Sequence, residues 1–340
     1  LAKILNSEKC LAHDLYAGGQ IMNALLSVHN LSVSYINADK NDVAVNKVSF
    51  DVMPGEIVGF VGESGCGKST LLQAIMRILP PPGVICGGDV YFKGEDVLAY
   101  SAEQIRQMRW RQASMVFQSA MNSLNPVMRI KDQFDDTLYA HGVTDKDERM
   151  SRADVLLNMV GIPANRINAY PHELSGGMRQ RVGIALALIF EPELVIMDEP
   201  TTALDVSIQA QVLNLMKDLK EQFGLTMMFI SHDLKVVEHF CDQVMVMYLG
   251  RVMEKIPSDK LRQECEHPYT RALLGSNPID DPDERRPLTV LQGDVPSPLN
   301  PPPGCPFAGR CPEVMDRCRT EMPPLEYRVN GQAVACWARM

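Results

Sequence analysis

The chain has 340 residues, of which 46% are hydrophobic and 22% are charged, enough for a large α/β core with an appended segment. No apolar run reaches the ~18 residues that a membrane-spanning helix needs, since the longest candidate, VGIALALIF, is bounded by Arg181 and Glu191. A net charge of −9 argues against nucleic acid as the main partner, because phosphate contacts need clustered Lys and Arg.

The N-terminal segment precedes a pair of strand-like sequences. Residues 1–21 lack the apolar core of a secretory signal peptide, and Met22 is a plausible natural start. We therefore expect residues 1–21 to be partly a leader or tag outside the fold. The following LLSVHNLSVSY and VAVNKVSFDV alternate in polarity, as strands with one solvated face do. This pattern predicts an antiparallel β subdomain.

The segment GESGCGKST joins a short apolar strand, EIVGFV, to a helix that ends before three prolines. Such a junction offers unpaired backbone N–H groups and the positive end of a helix dipole, which suit polyphosphate. Glycines let the backbone curl around phosphates, Lys68 can reach the β- and γ-phosphates, and Ser69 can ligate Mg²⁺. The predicted phosphate loop consists of Gly62, Glu63, Ser64, Gly65, Cys66, Gly67, Lys68, Ser69 and Thr70.

Polar residues end three later apolar strands. LVIMDEP ends in Asp198, which can hold Mg²⁺, and Glu199, which can orient and deprotonate an attacking water. FISHD ends with His232, a candidate γ-phosphate sensor, although a lone histidine there is more often structural. MVFQS ends with Gln118, which can bridge the metal, the water and a moving partner. From Leu194 the order strand, helix, strand, helix predicts a parallel sheet with ligands at its carboxyl edge.

Residues 101–190 are predicted to be mostly helical. RADVLLNMVG has its apolar residues at helical spacing and a terminal glycine at Gly161. Further along, LSGGMRQR opens a helix, because Ser175 is a good N-cap. Gly176 and Gly177 allow the backbone to approach an anion closely.

Six motifs together carry a family resemblance. GESGCGKST, Gln118, LSGGMRQR, LVIMDEP, TALD and SHD occur in the order and rough spacing of the ATP-binding-cassette family, and Tyr35 lies where its adenine-stacking aromatic is usual. The resemblance covers roughly Leu25 to Lys255. It implies ATP hydrolysis with Mg²⁺ and an α/β P-loop NTPase fold of the ABC type, with an antiparallel β subdomain and a helical subdomain at about residues 119–185.

The resemblance also implies partners. Two cassettes would face each other head to tail, so that residues 175–177 of this chain grip the γ-phosphate of ATP on the partner's phosphate loop. Asp205 would lie at that interface, His232 would sense the γ-phosphate, and Gln118 would face a membrane subunit. Mg²⁺ would be held by Ser69, Asp198 and Gln118. The implied assembly contains a homologous ATPase subunit, as a heterodimer, two transmembrane permease subunits and an extracytoplasmic solute-binding protein, with no nucleic acid.

The C-terminal segment narrows the resemblance. HPYTRALLGSNP, GDVPSPLNPPPGCPFAGRCPEVMDRC and VACWARM resemble the extension of cassettes that serve dipeptide and oligopeptide importers, a group that includes nickel and oligosaccharide importers. We therefore expect a cassette domain at 22–256, an extension at 257–340, and ATP-driven import at the cytoplasmic face of the cell membrane. The alternative is a soluble cassette acting on nucleic acid or ribosomes. The cargo stays open because a cassette never touches it.

Four of the nine cysteines fall in the last 36 residues, with the spacing C-x5-C-x6-C-x17-C. Four thiolates can hold an iron–sulfur cluster or tetrahedral zinc, and in a reducing cytoplasm either outranks two disulfides. The spacing lacks the C-x2-C pairs usual for zinc, and the resemblance favours a [4Fe-4S] cluster in a small irregular extension. Zinc and free or oxidised thiols remain alternatives. The proposed ligands are Cys305, Cys311, Cys318 and Cys336.

Overall fold

The computed structural model describes residues 23–37, 40–118, 124–202, 204–276, 293–299 and 301–340, so the expected leader at 1–21 lies outside the described residues. The strands within these ranges are β1 Leu26–Asn37, β2 Lys40–Val52, β3 Ile57–Val61, β4 Gly83–Phe92, β5 Glu95–Asp96, β6 Ala113–Val116, β7 Leu194–Asp198, β8 Thr226–Ile230, β9 Gln243–Tyr248, β10 Arg251–Pro257, β11 Glu326–Tyr327 and β12 Ala333–Val334.

The α-helices of the same ranges are α1 Lys68–Ile75, α2 Ala102–Met108, α3 Ile130–Ala140, α4 Lys146–Met159, α5 Gly176–Ala187, α6 Val206–Phe223, α7 Leu234–Phe240, α8 Leu261–Glu264, α9 Pro268–Ser276 and α10 Asp316–Thr320. In the part of the chain that the structure describes, none of them has both the length and the apolar composition of a membrane-spanning segment.

Strands β1, β2, β4 and β5 form an antiparallel sheet in the order β2-β1-β4-β5. Leu26 of β1 lies opposite Val52 of β2 on one side and Phe92 of β4 on the other. All three side chains are buried. The predicted antiparallel β subdomain is therefore confirmed, and its alternating polarity arises because only one face of the sheet packs on the core.

The second sheet has eight strands in the order β11-β12-β10-β9-β3-β8-β7-β6. Strands β9, β3, β8, β7 and β6 are parallel to one another, whereas β10, β12 and β11 are antiparallel to their neighbours. Every residue of β3, β7 and β8 is buried, as in strands covered on both faces. The carboxyl ends of these strands meet at one edge and bring the polar residues beyond them together.

Two hydrophobic cores lie on opposite faces of the parallel sheet. Successive β3 residues point to opposite sides: Val58 and Phe60 pack in the core shared with α1 and the antiparallel sheet, while Ile57 and Val61 pack in the other. The second core contains the helical region and also Phe307 of the C-terminal extension. The extension therefore shares a core with the cassette.

The helical region contains α3, α4 and α5. Asp145 caps α4 by accepting hydrogen bonds from the N–H groups of Asp147 and Glu148. Arg149 of α4 donates to Asp135 of α3 at 2.6 Å, which joins the two helices. The predicted helical part is confirmed; the domain boundaries stay predictions, and residues 119–123 lie outside the described residues.

The C-terminal extension is more regular than its proline content indicates. It contains α9 and α10, and the two-residue strands β11 and β12 continue the eight-stranded sheet. Val334 of β12 lies opposite Glu254 of β10, and the N–H of Ala335 donates to the carbonyl of Met253 at 2.8 Å. These bonds join the extension to the cassette through its main chain.

Gly59 of β3 occupies a position without room for a side chain. An added Cβ would lie 2.7 Å from Cys241 Sγ and from Val237 Cγ1, whereas at Gly87 of β4 it would meet nothing within 4 Å. We expect Gly59→Ala to lower the free energy of unfolding by about 1–3 kcal/mol, because overpacking forces neighbouring side chains to move. Gly87→Ala is the matched control. Urea unfolding should separate the two variants, and equal effects would contradict this packing argument.

Candidate functional site

The phosphate loop lies between β3 and α1 and is enclosed by backbone. Gly62 has φ 147°, and an added Cβ would overlap the carbonyl oxygen of Met247. Gly67, the N-cap of α1, has φ 98°, and an added Cβ would overlap the carbonyl oxygen of Ala44. Both positions require glycine for conformation and for space.

The ammonium group of Lys68 lies inside this loop. Its Nζ donates to the carbonyl oxygens of Gly62 at 2.7 Å and Glu63 at 3.1 Å, and the side chain is largely buried. Cys66 Sγ lies 3.5 Å from the same nitrogen, and burial raises the pKa of this thiol. The loop therefore holds one positive charge at the place where a polyphosphate would bind.

Ser69 and Asp198 lie together, as predicted. Ser69 Oγ donates to Asp198 Oδ1 at 3.0 Å, which joins the start of α1 to the end of β7. Burial, and then the neighbouring Glu199 carboxylate, raise the pKa of Asp198. A hydroxyl and a carboxylate are oxygen ligands of the kind Mg²⁺ prefers, so this pair could hold the ion.

Three side chains converge on the carboxylate of Glu199. Its Oε2 accepts hydrogen bonds from Gln118 Nε2 at 2.9 Å and Thr202 Oγ1 at 3.0 Å, and His232 Nδ1 lies 3.6 Å away. Glu199 has φ 48°, an uncommon value for a residue with a side chain, and its N–H donates to the carbonyl of Ile230 at 3.1 Å. Sequence reasoning placed Gln118 and His232 here and missed Thr202.

A cavity of about 330 Å³ opens beside the loop, within the size range of small-molecule sites. The predicted residues Tyr35, Gln118 and Glu199 line it together with residues 64–70. Tyr35 Oη lies 3.3 Å from Thr70 Oγ1. The lining also includes Asp42, Ala44 and Pro298, which the sequence analysis did not propose as site residues.

The segment at residues 175–177 lies beside the start of α6. Ser175 caps α5 by accepting a hydrogen bond from the N–H of Met178 at 3.3 Å, and Asp205 caps α6 by accepting one from the N–H of Ile208 at 2.9 Å. An added Cβ at Gly177 would lie 2.6 Å from Ile208 Cγ2. Within the described ranges, residues 175–177 and Asp205 are not among those that line the nucleotide cavity.

The four C-terminal cysteines line one small cavity, together with His267 and Trp337. The N–H of Cys305 donates to the carbonyl of Cys318 at 2.8 Å, and all four are free thiols. Burial raises the pKa of Cys305 to about 12 and also raises the pKa of Cys311 and Cys336. In the described part of the chain no group of three or more His, Cys, Asp or Glu could hold a metal ion. The four thiols share the lining of this cavity, and metal binding by them stays a prediction.

Comparison with known proteins places this geometry in a family. The family model described as ABC transporter matches residues 45–202, and the one described as oligopeptide/dipeptide transporter, C-terminal region, matches residues 253–318. A Brucella ovis protein named for peptide import is 47% identical over 312 residues, which cover 92% of this chain and 97% of that protein. The chain belongs to the ABC transporter ATPases. Its fold and its activity as an ATP-binding, ATP-hydrolysing cassette follow from this membership.

Other proteins similar to this ABC ATPase are also ATP-binding cassettes or transport ATP-binding proteins. The di/tripeptide transport ATP-binding protein DppF of Pseudomonas aeruginosa is 45% identical over 293 residues, covering 86% of this chain and 89% of DppF. A solved dimeric cassette with ADP and Pi has a TM-score of 0.62 and 28% identity, covering 68% of this chain and 98% of its own. The solved structure of cbiO1 from Clostridium perfringens has a TM-score of 0.61 and 29% identity, and the match covers 71% of this chain and 92% of cbiO1. The alternative of a nucleic-acid or ribosome ATPase is not supported.

Replacing Asp198 separates stability from nucleotide binding. Its pKa in the folded protein is raised above the ordinary value of 3.8, so stability falls as pH rises from that value through the raised pKa. Asp198→Asn removes this cost, and we expect a higher Tm for the nucleotide-free protein at neutral pH together with weaker Mg²⁺-dependent ATP binding.

The matched control is Asp205→Asn. Hydrogen bonds from the backbone of Ile208 and the side chain of Ser207 lower the pKa of Asp205, so its ionised form favours folding and the variant should gain no stability. Thermal unfolding with and without Mg²⁺-ATP measures both effects. An Asp198→Asn variant that is less stable than the parent without nucleotide would contradict the sign of the argument.

Proposed function

We propose that this chain is the ATP-hydrolysing subunit of a membrane importer for small peptides or related solutes. The observation that carries the chemistry is the convergence of Gln118, Thr202 and His232 on Glu199, beside the Ser69–Asp198 pair. The cargo class is supported by the C-terminal match at residues 253–318 and by the relatives named for peptide transport.

In the proposed reaction, backbone N–H groups of the loop and Lys68 bind the ATP phosphates. Mg²⁺, held by Ser69 and Asp198 with Gln118 as the further predicted ligand, would neutralise the charge of the phosphate oxygens. Glu199 orients a water for in-line attack on the γ-phosphorus and accepts its proton; the bond from the γ-phosphorus to the β–γ bridging oxygen breaks, and that oxygen leaves with ADP. His232 would contact the γ-phosphate, which couples the presence of ATP to the position of Glu199.

We also propose that residues 175–177 and Asp205 act across a dimer of cassettes. This is supported by their position outside the cavity of their own chain and by their closeness to one another, since an added Cβ at Gly177 would lie 2.6 Å from Ile208 Cγ2 at the start of α6. The partner would be a second, homologous ATPase subunit, as a heterodimer, whose phosphate loop completes the site.

Exposed apolar side chains support a contact with membrane subunits next to Gln118. Phe117 is 43% exposed and Val127 is 79% exposed, and they flank the end of β6 and the start of the helical region. One of two permease subunits would contact these exposed apolar side chains, with the chain bound peripherally at the cytoplasmic face of the membrane. A solute-binding protein on the opposite side would deliver the cargo.

For the extension we propose that the four cysteines bind a [4Fe-4S] cluster. The donor set fits, because Cys₄ ligation is the rule for such clusters and all four thiols line the same cavity. A cluster distributes its ligands over several irons, so the sulfurs need not converge on one ion as zinc requires. Such a cluster would cross-link the extension at four positions, namely residues 305, 311, 318 and 336.

Glu199→Gln tests the proposed base. The amide retains the shape of the side chain but cannot accept the proton of water, so hydrolysis should fall by at least ~10²-fold while ATP binding is retained. Phosphate release and equilibrium nucleotide binding measure the two properties. Thr202→Val, which removes one hydrogen bond to the same carboxylate, is the control and should cost less. Turnover close to the parent in Glu199→Gln would remove Glu199 from the role of base.

Peptide uptake tests the cargo. In cells in which only this chain is replaced by the Glu199→Gln variant, uptake of di- and tripeptides should stop although the chain is present at the parent level. Unchanged peptide uptake, with loss of nickel or oligosaccharide uptake instead, would overturn the assignment of peptides as the cargo. The proposed role as the ATPase of an importer would still stand.

Metal analysis tests the cluster. Anaerobically purified protein should be brown and contain about four irons per chain. Cys311→Ser or Cys318→Ser should bleach it, whereas Cys86→Ser, an exposed cysteine of β4, should not. Alkylation is a poor substitute, because burial raises the pKa of Cys305 to about 12 and slows its reaction even without metal. Stoichiometric zinc without iron would overturn the cluster and keep a four-ligand site.

A further inference from the structure

The C-terminal extension contacts the phosphate loop through a partly buried ion pair. Arg310 Nη1 donates to Glu63 Oε2 at 2.6 Å, and Nη2 donates to Oε1 at 3.0 Å. The side chains are 7% and 26% exposed, respectively. Two parallel charge-assisted bonds fix the orientation of a carboxylate as well as its distance. A residue 247 positions away in sequence therefore holds the second residue of the phosphate loop.

A second contact from the extension holds the backbone of the same residue. The N–H of Glu63 donates to Tyr269 Oη at 2.9 Å, and Tyr269 of α9 is fully buried. Arg310 Nη1 also donates to Tyr248 Oη at 3.2 Å, and the rings of Tyr248, Tyr269 and Phe307 pack edge-on or tilted at 4.7–5.4 Å. Both anchors of Glu63 therefore start from one rigid aromatic cluster.

The position of Glu63 affects the position of the Lys68 ammonium group, which is the predicted phosphate-binding charge. The carbonyl of Glu63 and that of Gly62 accept the hydrogen bonds of Lys68 Nζ, at 3.1 and 2.7 Å. Gly62 lies against the carbonyl of Met247 in β9, whereas Glu63 is held by Tyr269 and Arg310. Loss of the Arg310 contact would release the carbonyl that helps to hold Lys68.

The charges of Glu63 and Arg310 also affect nucleotide binding electrostatically. A carboxylate in the phosphate loop repels a polyphosphate in the neighbouring cavity, and Arg310 offsets that charge within the same partly buried contact. If Arg310 alone is removed, the carboxylate of Glu63 remains uncompensated, whereas removal of both charges removes the repulsion as well.

We propose that Arg310 is a positioning residue for ATP binding, which acts through Glu63 on the phosphate loop and does not touch the nucleotide. The proposal rests on the ATPase function proposed above. Arg310→Gln should raise the Kd for Mg²⁺-ATP and the KM for ATP about tenfold, within the range of coupled sites, with kcat at saturating ATP nearly unchanged. The kcat stays because Glu199, Gln118 and His232 are untouched.

Four variants form the test. They are Arg310→Gln, Arg310→Lys, Glu63→Gln and the double variant Arg310→Gln/Glu63→Gln. The double variant should bind ATP more tightly than Arg310→Gln, since it lacks the uncompensated carboxylate. Arg310→Lys keeps the charge but loses the two parallel bonds, so its affinity should lie between the parent and Arg310→Gln. The control is Arg262→Gln, which breaks the ion pair between Arg262 of the extension and Glu238 of α7, away from the phosphate loop.

Nucleotide binding, steady-state kinetics and Tm of the full chain give the outcomes. Parent-like Kd and KM in folded Arg310→Gln would overturn the proposal. An equal loss of ATP affinity in Arg262→Gln, or a fall in the kcat of Arg310→Gln as large as its loss of affinity, would overturn it as well. If Arg310→Gln does not fold, Arg310→Lys decides: a higher Kd and KM than the parent supports the proposal, and parent-like values would overturn it. A parent chain that fails to bind ATP would overturn the proposed function itself.

Discussion

The nucleotide site depends on how the phosphate loop is enclosed by backbone from different parts of the fold. Gly67 lies against the carbonyl of Ala44 in the antiparallel sheet, and Gly62 lies against the carbonyl of Met247 in the parallel sheet. Glu63 is held by side chains of the C-terminal extension. These contacts all fall within six residues of the loop, so the loop conformation depends on the positions of both sheets and of the extension. A shift of any of these three parts would therefore change the geometry of the nucleotide site.

Much of the site was accessible from sequence because several functional residues lie at or just beyond the ends of buried apolar strands. Parallel strands have their carboxyl ends at one edge, so Asp198, Glu199 and His232 were expected beside the loop after β3, and they lie there. The bond between Gln118 and Glu199 follows from the same rule. Thr202 escaped notice since a hydroxyl one turn after a strand carries no periodic signal.

The contacts of the extension could not be predicted, for a physical reason. Hydrophobic periodicity reports which face of an element is buried, but not which distant residue covers it. Arg310 follows an irregular segment rich in proline, and Tyr269 belongs to a motif that marked only the subfamily. The sequence also indicated an irregular extension, whereas two short strands in it pair with β10. Cysteine spacing, by contrast, predicted a common site for four cysteines, and these four line one cavity, while metal binding by them stays a prediction.

The pairing of β12 with β10 limits how this cassette can be shortened. A chain cut after β10 would leave that strand as an unpaired sheet edge and would expose Tyr248 and the interior faces that Phe307 covers. Bare edges and apolar patches of this kind recruit other chains. A truncated cassette would therefore tend to aggregate, and the extension is as much a cover for the core as an appendage to it.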